Sequence, residues 1–145
     1  MVKCPLVILC YLQQVEVGIV HQFQFSSTLQ RMSVVTRTLD SQDFLLYCKG
    51  SPEMIASLSI PETLPPDFAA ILEQYTEQGF RVIAMGQRTL DVSFTKLQRM
   101  RREEAEQELE FLGLIVLENR LKPQTKGVIQ LLKEAEFKTI MITGK

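Results

Sequence analysis

The stretch from residue 44 to residue 53 leaves the chain few choices. Phe44-Leu45-Leu46-Tyr47-Cys48 has the aliphatic and aromatic character of a strand, and it delivers Lys49 and Gly50 at its end. Ser51 is then a good helix N-cap, Pro52 suits the first helical position and Glu53 suits the first turn. The backbone must therefore pass from strand to helix at Gly50 and Ser51. A lysine at such a junction stands beside unpaired backbone N–H groups and the positive end of a helix dipole, a fair place for a phosphate. These five residues also fit an ordinary surface lysine ahead of a capped helix.

The flanking pattern predicts an antiparallel meander. Residues 15–25 and 32–38 alternate or are β-branched as strands are, and the links to residues 44–48 are short and polar. A short helix over 51–58 ends before Pro61. Pro65 and Pro66 open a longer helix through Ala69, Ile71, Leu72 and Tyr75, closed by Gly79, and residues 80–85 form the next strand. Residues 96–110, which include Arg101-Arg102-Glu103-Glu104, read as one helix with a solvated charged face.

Beyond residue 110 the texture changes. Residues 111–117 are continuously apolar, as expected for a strand buried on both faces. A helix over 123–135 turns Val128, Ile129, Leu131 and Leu132 inward, and residues 139–144 form another buried strand. That order predicts a βαβ unit of a parallel sheet. The expected organisation is a poorly defined segment 1–14, a domain over 15–110, and a second domain begun at 111–145 and cut short. The fold class is α/β in the broad α+β sense: a mostly antiparallel twisted sheet flanked by helices, then a partial Rossmann-like unit.

Composition excludes several functions. A net charge of -1 over 145 residues offers no basic face for nucleic acid or anionic lipid. The longest apolar stretch, residues 5–12, is far short of the roughly 20 residues that span a bilayer, and it lacks a signal-peptide cleavage site. Cys4, Cys10 and Cys48 form no CxxC pair, so neither zinc nor a disulfide framework is expected, and reduced cytosolic thiols fit. The single histidine, His21, reads as a strand residue and leaves little room for Ser-His or Cys-His catalysis.

Gly-rich phosphate motifs are also missing. Gly144-Lys145 has no glycine five residues before Gly144 and no Ser or Thr after the lysine, so it is not a P-loop, and no G-x-G-x-x-G occurs. A nucleotide would have to be held by an aromatic ring and a few point charges.

Four segments then fall into a recognisable order: Phe25-Ser26-Ser27, Arg31-Met32-Ser33-Val34, Lys49-Gly50-Ser51-Pro52-Glu53 and Gly79-Phe80-Arg81-Val82-Ile83-Ala84. Glu118-Asn119-Arg120-Leu121-Lys122 and Met141-Ile142-Thr143-Gly144 extend the series. Together they resemble the nucleotide-binding domain of P-type ATPases and its return into the phosphorylation domain, over about residues 18–144. The match is nearest to the type 5 branch, in the subgroup linked to polyamine transport.

The resemblance implies ATP as ligand. Phe25 takes the place of the ring that stacks on adenine; Lys49 and Gly50 take the place of the pocket motif. Arg81 matches an arginine that reaches the phosphates when domains close. Ser27 and Gln30 fall where other branches put charged nucleotide contacts, and Arg120 or Lys122 lies near a hinge that can touch the nucleotide. Read without the family, Phe25 is a core residue sharing a strand face with Phe23, and Arg81 pairs with Glu53 or Glu77.

None of Asp40, Asp43, Asp67 or Asp91 lies in the Asp-Lys-Thr-Gly-Thr motif that carries the family's phosphorylated aspartate, and the chain reads Thr143-Gly144-Lys145 where the family continues Thr-Gly-Asp-Asn. The nucleophile and the Mg²⁺ carboxylates are therefore absent. The chain is expected to bind ATP, with a dissociation constant near millimolar, without hydrolysing it. The parent would be a magnesium-dependent translocase in an endosomal, lysosomal or other endomembrane, with this domain on the cytosolic face. Its partners would be the remaining phosphorylation, actuator and transmembrane domains. The alternatives are a non-catalytic regulatory or interaction fragment, including a truncated isoform, and a haloacid dehalogenase-type phosphatase, disfavoured because the Asp-x-Asp pair such enzymes need appears nowhere in this sequence.

Overall fold

Three strands at the centre set the frame: β2 (Arg31–Thr38), β3 (Phe44–Gly50) and β4 (Arg81–Leu90) run antiparallel to their neighbours. The computed structural model describes residues 16–39 and 41–142. β1 (Val17–Ser26) and β5 (Glu110–Leu117) complete a five-stranded sheet in the order β1-β2-β3-β4-β5. This is the expected antiparallel sheet flanked by helices.

Alternation sorts the two faces. In β3, Phe44, Leu46 and Cys48 are buried while Leu45, Tyr47 and Lys49 point the other way. Arg31, Ser33 and Val35 of β2 share the buried face, and Ile55, Leu97, Ala105 and Leu109 close the core over it. Burying a leucine as fully as Leu46 makes its truncation to alanine cost about 2–5 kcal/mol.

The predicted caps are in place. In α1 (Pro52–Leu58), the Ser51 hydroxyl accepts from the Met54 N–H at 3.3 Å, with Pro52 in the first turn. α2 (Phe68–Glu77) keeps Phe68, Ile71, Leu72 and Tyr75 half-buried at helical spacing. Gly79, at φ 79°, ends it in the left-handed conformation that glycine adopts without steric cost.

Three expectations change. The helix expected over 96–110 is two single turns, α3 (Phe94–Leu97) and α4 (Arg102–Ala105), and Glu106 is 1% exposed rather than solvated. Charge density marks a surface segment on average, but one carboxylate turned inward is tolerated where cations meet it. Residues 111–117 do form a strand, yet β5 pairs antiparallel with β4 and leaves Leu112, Ile115, Val116 and Leu117 at least 37% exposed. An apolar run records neighbouring apolar surface, not pairing direction, and β4 offers a free edge. Finally, α5 (Gln124–Glu134) forms, but residues 139–142 take no strand pairing and no βαβ unit closes among the described residues. The expected segment 1–14 lies outside the described residues, as do positions 143 and 144 of the predicted last strand.

Candidate functional site

The site begins at the turn between β1 and β2. The pairing shifts by one residue between Phe23↔Ser33 and Ser26↔Arg31. That irregularity separates two aromatic rings of equal parity: Phe23 packs against the core, while Phe25 is 62% exposed. The reading of Phe25 as a core residue is therefore set aside. His21 meets Phe23 edge to face, with ring centroids 4.6 Å apart, and is a strand residue as expected.

The turn is then fastened to the end of β3. The Ser26 hydroxyl accepts from the Leu29 N–H at 3.3 Å, and Gln30 takes a left-handed φ of 50°. The Ser51 N–H donates to the Gln30 carbonyl at 3.0 Å, and the Ser51 hydroxyl donates to Gln30 Oε1 at 3.2 Å. Gly50 fits because it has no side chain: a Cβ there would stand 2.5 Å from the Gln30 carbonyl oxygen.

Between this turn and the first residues of β4 lies an open cleft of about 510 Å³. Phe25, Gln30, Met32, Lys49, Gly50, Ser51, Arg81, Val82, Ile83 and Leu117 line it. Sequence positions 25, 49, 50 and 81 thus meet in one place. Arg81 enters no ion pair among the described residues, so the pairing with Glu53 or Glu77 does not form. A smaller hollow of about 180 Å³ adjoins, sharing Met32 and Lys49 and continuing to Val34, Tyr47 and Met85 on the same sheet face.

Ser27 lies in the turn but not on the cleft lining. Arg120 stands apart from it as well: its Nε donates to Glu118 Oε2 at 2.7 Å on the surface, and Lys122 is exposed. Both assignments came from the family resemblance, Ser27 from the place of charged contacts in other branches and Arg120 from a hinge position.

Sequence reading missed what lies beneath. The Arg31 Nε donates to Glu106 Oε2 at 2.5 Å, and the Ser33 hydroxyl donates to Glu106 Oε1 at 2.6 Å. Arg102 Nε lies 3.5 Å from the same Oε1. The only signal was the spacing of Arg102 and Glu106, four residues apart on a helix face. Cys48 sits beside this group, fully buried. Burial pushes its thiol up to about 12, the Glu106 charge adds to the rise, and Arg31 and Arg102 oppose it.

A five-stranded antiparallel sheet with a capped Lys-Gly-Ser-Pro-Glu junction at its cleft defines a class. Residues 11–124 match the family described as P-type ATPase, cytoplasmic domain N, and this chain belongs to that family. Among relatives, the polyamine-transporting ATPase 13A3 of Mus musculus is 50% identical over 131 residues, covering 89% of this chain and 11% of that protein. The probable cation-transporting ATPase catp-6 of Caenorhabditis elegans is 48% identical over 132 residues, covering 89% and 10%. The probable cation-transporting ATPase 13A5 of Homo sapiens is 48% identical over 124 residues, covering 85% and 10%. These relatives bear out the resemblance to the type 5 branch. The chain spans about a tenth of their length. No helix among the described residues is long and apolar enough to cross a membrane.

Proposed function

We propose that this chain binds ATP in the cleft between the β1–β2 turn and the ends of β3 and β4, as the nucleotide-binding domain of a P-type transporter. The convergence of Phe25, Lys49, Gly50 and Arg81 on one cleft carries this reading. Its volume falls within the about 300–1,000 Å³ usual for small-molecule sites. Phe25 offers adenine an exposed ring, and base–aromatic stacking is worth about 1–3 kcal/mol in nucleic-acid-binding proteins. Lys49 supplies a compact positive charge at the pocket, and Arg81 reaches the phosphates when a neighbouring domain closes. Ser27 and Arg120 have no direct contact in this arrangement.

Phosphoryl transfer needs an acceptor and metal-assisted charge stabilisation. The 145 residues hold no Asp-Lys-Thr-Gly-Thr acceptor motif, and the described residues contain no acidic cluster suited to Mg²⁺. The chain by itself therefore holds ATP without hydrolysing it. In the whole transporter, because β5 belongs to the five-stranded sheet, it is after β5, rather than from residue 111 as expected, that the chain leads into a haloacid dehalogenase-like phosphorylation domain. An aspartate there receives the γ-phosphate, and turnover drives polyamine or cation transport across an endomembrane. The names of the relatives support this substrate class.

The test is an amide NMR titration of the chain with ATP beside Phe25→Ala and Lys49→Ala. Shifts should cluster at Phe25, Ser26, Lys49 and Gly50, and both folded variants should weaken them. A dissociation constant near 1 mM is expected, about -4 kcal/mol. No localised response at high millimolar ATP overturns the reading.

A further inference from the structure

Glu106 is the one fully buried carboxylate among the described residues, and through its three partners it is tied to the strands on both sides of the turn that follows Phe25. On the side after the turn, Arg31 Nε and the Ser33 hydroxyl, both of β2, donate to its two oxygens. The side before the turn is reached through Arg102. Its Nε lies 3.5 Å from Glu106 Oε1, while its NH2 group donates to the Gln24 carbonyl, one residue before Phe25. The same guanidinium lies over the Phe23 ring, 5.7 Å from the centroid. Arg31 also extends to Met54 Sδ at 3.3 Å, which joins the group to α1.

We propose that Glu106 is a positioning residue of the nucleotide site. Its carboxylate binds the two strands leading into and out of the β1–β2 turn through two arginines, and so fixes where the Phe25 ring stands relative to Lys49. The proposal rests on the ATP-site reading for its effect on affinity, but the clamp itself exists without nucleotide.

The geometry supports a specific role over general packing. Phe25 is exposed and comes from an irregular stretch of β1, so few contacts of its own hold it in place. Gln24, immediately before it, is exposed too, and its carbonyl is held from across the fold by a residue 78 positions away. Two cations converge on one anion with the remaining oxygen capacity used by Ser33, which leaves the group fully bonded and directional. Loosening it should free the turn before it melts the sheet.

Glu106→Gln keeps the shape and removes the charge; Arg102→Gln removes the links to Gln24, to the Phe23 ring and to Glu106 Oε1 but leaves the Arg31–Glu106 pair in place. Amide hydrogen exchange of the intact chain, without nucleotide, should quicken at residues 24–30 in both variants, while residues 44–48 of β3 keep their protection. Uniform quickening, or none at the turn, overturns the clamp. ATP titration of the same variants should show affinity reduced roughly three- to tenfold, in the range of coupling between residues that share a network. The same loss should occur with adenosine in place of ATP, and it should vanish when either substitution is made in a Phe25→Ala background. An equal loss with and without the Phe25 ring overturns the positioning role. Should Glu106→Gln fail to fold, Arg102→Gln carries both measurements. Absence of ATP binding in the unsubstituted chain overturns the site reading instead, and the exchange measurement still decides the clamp.

Discussion

Gly50 stands directly opposite Arg31 in the β2–β3 ladder, so close that a Cβ on Gly50 would lie 2.8 Å from the Arg31 Cβ. The glycine of the Lys-Gly-Ser-Pro-Glu motif thus admits the strand that carries the buried ion pair, and the proposed pocket and its support meet at one rung.

Gly50→Ala should therefore destabilise the domain by about 1–3 kcal/mol, the usual result of forcing an added group into a packed site. Urea denaturation measures it. Amide shifts should spread to Gln30 and Ser51, whose backbone groups are bonded to each other at 3.0 Å. Unchanged stability would mean that the turn gives way freely.

Phe23 and Phe25 should separate stability from binding. Phe25→Ala removes an exposed ring, so the unfolding free energy should change by less than about 0.5 kcal/mol, while ATP affinity falls about fivefold or more. Phe23→Ala removes a ring packed against the core and under Arg102, and should cost about 1–3 kcal/mol. A Phe25→Ala variant that unfolds early, with binding intact in its folded fraction, would reverse the two assignments.

The Cys48 thiol, raised from an ordinary 9.0 to about 12, should resist alkylation in the native chain at pH 8 and react once unfolded. The sign of the linkage follows. The folded state favours the neutral thiol, so this contribution is complete below pH 9 and is lost progressively as pH rises from about 9 to 12. Peptide mapping after timed iodoacetamide exposure would report it. Rapid native labelling at Cys48 would contradict the burial.

Ser51→Ala should cost about 1 kcal/mol by removing the hydroxyl that accepts from Met54 N–H and donates to Gln30 Oε1. Thermal melts would show the loss, and circular dichroism should show little change because α1 is short. If the melt is unaffected, neither bond contributes measurably.

Much of the local structure was legible. The cap at Ser51, the glycine stop at Gly79 and the alternation of β3 depend on residues within a few positions of one another. The candidate site was legible as four motifs in order, and their meeting in one cleft followed only from the strand pairings. The strand at Glu110–Leu117 was legible as a strand, but its antiparallel partner was not, since hydrophobicity carries no direction.

By itself the sequence determined the elements with local signatures and the residue types at the cleft: the ring, the lysine, the glycine and the arginine. Tertiary structure alone decided which of two aromatic residues faces outward, because a one-residue slip in pairing with β2 separates Phe25 from Phe23. It also decided that Glu106 is buried. Within a run of mixed charges every carboxylate looks alike; only the distant approach of Arg31 and Ser33, 75 and 73 positions away, makes burial of this one tolerable.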